Sequence, residues 1–125
     1  MSAPTSSPAK TAFEEKLEEL NEDLWTLNAD FKRDSEQIEF EIENLEEKLR
    51  ELEFDDRNYD KLDNSPSRKK LRSKINKIFS RMDILKSDYL WLENQLFIES
   101  NKVNSEILLI QHKMRFTAVL EQLAH

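Results

Sequence analysis

The chain has 125 residues, 36% of them charged and 38% hydrophobic, with 26 acids against 19 lysines and arginines, no cysteine and no glycine. The missing cysteines exclude disulfides, thiolate metal sites and cysteine nucleophiles; the missing glycines exclude a phosphate-cradling loop and leave room for few turns. Pro4, Pro8 and Pro66 all lie outside the periodic segments, so the expectation is an elongated all-α protein built from long helices.

Residues 1–10 are rich in Ser, Thr, Pro and Ala and bury too little apolar surface to repay their ordering entropy, so they read as a tail. They lack the apolar core of a signal peptide. Ser7-Pro-Ala-Lys10 fits a proline-directed kinase consensus, which makes Ser7 a candidate phosphorylation site. Thr11, with Glu14 three residues on, has the spacing of a capping box, and helix 1 is expected over 11–53.

In helix 1, Phe13, Leu17, Leu20, Leu24, Leu27 and Phe31 recur in alternating steps of four and three. Ile38, Ile42, Leu45, Leu49 and Leu52 resume that alternation after a gap. Joining the halves through Ser35 makes an eleven-residue unit from Leu24 to Ser35. Trp25 and Phe40 fall off the seam, either widening the core or meeting a further helix. Between Glu53 and Pro66 the density of Asp and Asn predicts a loop over 54–65, with Phe54, Tyr59 and Leu62 folding back onto the end of the hairpin. Ser65 as N-cap and Pro66 as first helical residue restart the chain as helix 2, expected over 66–125.

Helix 2 repeats the alternation through Leu71, Ile75, Ile78, Met82, Leu85, Tyr89, Leu92 and Leu96, then Val103, Ile107, Ile110 and Met114. Its own eleven-residue unit, Leu92 to Val103, would face 24–35 in an antiparallel pair whose facing residue numbers sum to about 127. Ser100, Asn101, Asn104 and Ser105 are weak helix formers; a break at 100–105 would turn the two-helix antiparallel coiled coil into a three-helix bundle. Charge favours the hairpin: residues 11–56 hold 18 acids and 5 bases, residues 65–125 hold 11 bases and 6 acids.

Helix 2 is apolar on more than one side. Leu90, Trp91, Phe97 and Ile98, with Leu108, Leu109, Phe116, Leu120 and Leu123 further on, lie off the seam and are the candidate partner-binding residues. The basic patch Arg68, Lys69, Lys70, Arg72, Lys74, Lys77 and Arg81 has three uses: complement to acidic helix 1, an exposed phosphate-binding or nuclear-import face, or a membrane-surface face, which the neighbouring acidic helix disfavours by repelling anionic lipid. Ser65-Pro-Ser-Arg68 is a second proline-directed match, so Ser65 is a candidate both as cap and as phosphorylation site.

Catalysis lacks parts. Leu109 and Gln122 stand where a two-metal bundle would place the glutamates preceding His112 and His125, so no metal, cofactor or small-molecule substrate is expected. The longest aliphatic run, Ile107–Ile110, falls far short of the roughly 20 residues of a membrane span. The resulting expectation is a non-enzymatic coiled-coil scaffold subunit, cytoplasmic or nuclear, whose partners are protein helices from another copy or another chain. Long helical hairpins with such a tail and loop resemble, by fold class alone, small subunits of cytoskeletal, kinetochore, spindle, vesicle-tethering or autophagy assemblies. The alternatives are a nucleic-acid or phosphate-binding module using 68–81 and a helical-bundle chaperone of the tubulin-cofactor kind.

Overall fold

The computed structural model describes residues 8–124. It is a helical hairpin of two helices, α1 (Pro8–Arg57) and α2 (Pro66–Leu123), with no strand among the described residues. α1 begins one turn earlier than the Thr11 cap implies: Pro8 takes the first helical position, where its missing N–H costs nothing. Thr11 therefore lies inside the helix, and Ser7 lies outside the described residues. α1 also runs past Glu53 to Arg57, so residues 54–57, expected in the loop, are helical. α2 is continuous through Ser100–Ser105, which removes the three-helix alternative. The weak formers there cost only tenths of a kcal/mol each, and Ser100, Val103 and Ile107 turn inward on the seam.

The helices pair within two compact units, one of residues 31–93, the other of residues up to 30 together with those from 94 onward. In the loop unit, Leu49, Ile78 and Met82 are buried in one cluster, with Ile42, Leu45, Leu52 and Ile75 packed against it. Leu85 is buried too, and Phe31 meets Tyr89 edge to face with ring centroids 6.0 Å apart. Ser35 sits on the seam, 6% exposed, and its hydroxyl donates to the Lys32 carbonyl at 3.2 Å, so the polar seam position is satisfied. In the other unit, Leu20 is buried, and Phe13, Leu17, Leu24 and Leu27 of α1 and Leu96, Val103, Ile107, Ile110 and Met114 of α2 are half-buried.

The seam is the one read from the sequence. In the loop unit Leu49 and Ile78, whose numbers sum to 127, share one cluster, in keeping with the expected facing of the helices. Longer side chains reach further along the seam: the Glu41 carboxylate takes Arg81 at 2.9 Å, and Phe31 meets Tyr89. Trp25 and Phe40, 73% and 66% exposed, do not widen the core.

Ile78→Ala removes buried methylenes from the loop-unit cluster and should lower the unfolding free energy by about 2–5 kcal/mol. Ile84→Ala, on the same helix but off the seam, should change it by no more than about 0.5 kcal/mol. Urea denaturation followed by circular dichroism compares the two.

Candidate interaction surfaces

The loop is organised by one buried cation. Arg68 is only 6% exposed. Its Nε donates to Asp56 at 3.2 Å, its Nη1 to the carbonyls of Asp60 and, at 3.1 Å, Asp63, and its guanidinium lies 5.8 Å from the centre of the Tyr59 ring. Arg72 joins the same Asp56 carboxylate. That pairing lets α1 extend to Arg57 although Asp55 and Asp56 oppose the dipole at a helix C-terminus.

The restart at α2 is capped as the sequence implies. Ser65 Oγ accepts from the Arg68 N–H at 3.3 Å, and the Ser65 N–H donates to the Asp63 carboxylate at 2.7 Å. Arg68 does not share the exposed face expected of the basic patch: it is an internal tie of the loop, not a surface charge. Phe54 and Leu62, 59% and 89% exposed, do not fold back; of the three expected to do so only Tyr59 is half-buried.

Partial burial pushes the Asp56 carboxyl up, but the hydrogen bonds and charges of Arg68 and Arg72 outweigh it, so the group ionises below the usual carboxylate value. Asp63 is lowered chiefly by its hydrogen bonds from Ser65. Tyr89 is raised by partial burial and then by the charges of Glu93 and Glu39. A carboxylate with a lowered folded pKa contributes stability that is present above its unfolded value, near 3.9, and lost as the pH falls through the folded one. The loop should therefore lose part of its stability below about pH 4. In an NMR titration the exchange protection of the Ser65 amide should fall over that range, and Asp63→Asn should remove the share due to Asp63 while leaving that of Asp56.

The remaining basic residues are exposed. Arg72 and Arg81 pair with Asp56 and Glu41 of acidic α1, as charge complementarity implies. Lys69, Lys70, Lys74 and Lys77 pair with no acid among the described residues.

The nine candidate partner-binding residues, all on α2, are exposed in both units. In the loop unit these are Leu90 and Trp91, 64% and 61% exposed. In the other unit Phe97, Ile98, Leu108, Leu109, Phe116, Leu120 and Leu123 are all exposed. Phe79, Ile84 and Val119 were missed and share this exposure. The spacing could have found Ile84, which precedes Trp91 by one heptad as Trp91 precedes Ile98. Each is a large apolar side chain left in water by a helix that has one neighbour.

No group of three or more His, Cys, Asp or Glu able to hold a metal occurs among the described residues, and no helix is long and apolar enough to cross a membrane. Compared with models of known protein families, curated protein sequences and solved structures, the chain matches none.

Proposed function

We propose that this chain is a non-enzymatic interaction subunit of a larger protein assembly, and that it binds partner helices through the uncovered apolar side of α2. One observation carries the reading: Leu90, Trp91, Phe97 and Ile98 stay at least 38% exposed while the seam beside them packs against α1. Large apolar side chains left in water commonly mark interaction sites, and aromatic residues of this kind are common anchors of interfaces. α2 also carries most of the exposed large hydrophobics, whereas α1 offers only the isolated Trp25, Phe40 and Phe54, so the two outward faces are not equivalent.

Trp91→Ala with Ile98→Ala should weaken partner binding by about 2–4 kcal/mol, the range of interface anchors, and leave helicity unchanged. Proteins recovered with the tagged chain from its own cells provide the readout. They should be lost with that double variant and kept with Trp25→Ala, whose aromatic is more exposed still but lies on α1. Identical recovery from both variants would remove the reading.

Lys69, Lys70, Lys74 and Lys77, which pair with no acid among the described residues, favour a second reading, a phosphate-bearing partner at 69–77. It demands nucleic-acid binding that weakens steeply with added salt and disappears when Lys69, Lys70 and Lys74 are neutralised. Under the first reading, retention on a nucleic-acid column at low salt is no greater than that of an acidic control protein.

A further inference from the structure

On the uncovered side of α2, in the unit that holds residues from 94 onward, the outward positions are arranged symmetrically about Val103. Asn101 and Ser105 lie equally far on either side of it, then Ile98 and Leu108, then Phe97 and Leu109, then Asn94 and His112. All eight are exposed, and none carries a fixed charge. An antiparallel second copy, related by a two-fold axis at the level of Val103, would set polar opposite polar and apolar opposite apolar at every one of these levels. A two-fold interface requires such self-complementarity of its patch.

A parallel copy would also match like with like, by setting each residue against itself, so the charged edges decide the direction. Lys102 and Glu106 lie along one edge of this face. In an antiparallel pair like edges meet, which places Lys102 of each chain by Glu106 of the other, twice over. A parallel pair would bring that edge to the opposite one, where Asn104 and Gln111 offer no counter-charge. Lys102 is available for this: it is 66% exposed and bridges only to Glu99 of its own helix, at 3.2 Å. Glu106 is exposed and makes no ion pair among the described residues.

We infer that this face of α2 is occupied by a second copy of the chain, packed antiparallel about Val103, with Phe97 and Ile98 of one copy interleaving with Leu109 and Leu108 of the other. The inference rests on the reading under Proposed function and names its partner. Asn101 opposite Ser105, and Asn94 opposite His112, give the midline hydrogen-bonding partners that fix one register, since any slip would oppose polar groups with leucine or phenylalanine. The paired stretch is about five turns long, roughly 27 Å.

Sedimentation equilibrium of the full chain across micromolar concentrations should give the mass of two chains. Lys102→Glu or Glu106→Lys alone turns two attractive pairs into two repulsive ones and should weaken dimerisation about tenfold, while the double exchange should restore it. Because the chain has no cysteine, orientation can be read by oxidation. Asn101→Cys chains mixed with Ser105→Cys chains should cross-link faster than either alone. Faster linking of Asn101→Cys with itself would mean a parallel pair and overturn the inference, as would a one-chain mass. If the chain is monomeric and Phe97→Ala with Leu109→Ala abolishes capture of a different protein, the second-copy inference falls and the interaction-subunit reading stands. If those two substitutions alter neither mass nor capture, the reading falls with it.

Discussion

A helix with a single neighbour can hide one stripe of side chains, and everything else in this protein follows from how the chain fills that allowance. In α1 the stripe is most of the apolar surface, with Trp25, Phe40 and Phe54 outside it, and the rest is predominantly acidic. In α2 the stripe is about half of it. None of the described side chains is wholly enclosed, because two helices have no inside beyond their line of contact. The seam residues are accordingly half-buried along most of its length, with Leu20, Leu49, Ile78, Met82 and Leu85 the buried points. Stability is drawn from many partial burials, each worth roughly 25 cal/mol per Å² of apolar area.

Where the chain reverses, the problem is different, since eight loop residues without glycine must turn using ordinary backbone. Asp side chains supply the turn by accepting from backbone amides two residues on: Asp63 from Ser65, Asp60 from Leu62. Arg68 then ties the loop carbonyls and the end of α1 to the start of α2. A buried guanidinium is costly unless its donors are paired, and here Nε and Nη1 find a carboxylate and two carbonyls. The loop thus depends on polar bonding where the helices depend on apolar contact.

The division between what could and could not be read from the sequence follows the same line. The alternating steps of four and three located every seam position, including the buried Ser35, because burial by one neighbour is a one-dimensional pattern. The Ser65–Pro66 start was legible because capping chemistry is local. Arg68 was not: in a run of lysines and arginines nothing local marks the one cation that turns inward. Its partners, Asp56 and the loop carbonyls, come together only once the chain has reversed. The facing of the helices was legible for the opposite reason: it follows from the pattern along each helix, and Leu49 and Ile78, whose numbers sum to 127, share one cluster. The exposed side of α2 was legible as excess, since a second set of apolar heptad positions is visible without knowing what covers it.

That excess has a character of its own. Were it only hydrophobic, it would invite indiscriminate aggregation; instead the outward line from Asn94 to His112 alternates large apolar residues with amide, hydroxyl and imidazole groups. Such a surface gains from covering Phe97, Ile98, Leu108 and Leu109, yet it penalises any partner that cannot answer the polar groups between them. Burying an unanswered amide costs about 1–3 kcal/mol, comparable to what one buried leucine or isoleucine contributes. A partner that satisfies the apolar residues and ignores the midline therefore forfeits much of its gain. The polar positions weaken the contact in absolute terms and sharpen it in relative ones, which is the balance expected of a face meant for one helix in one register.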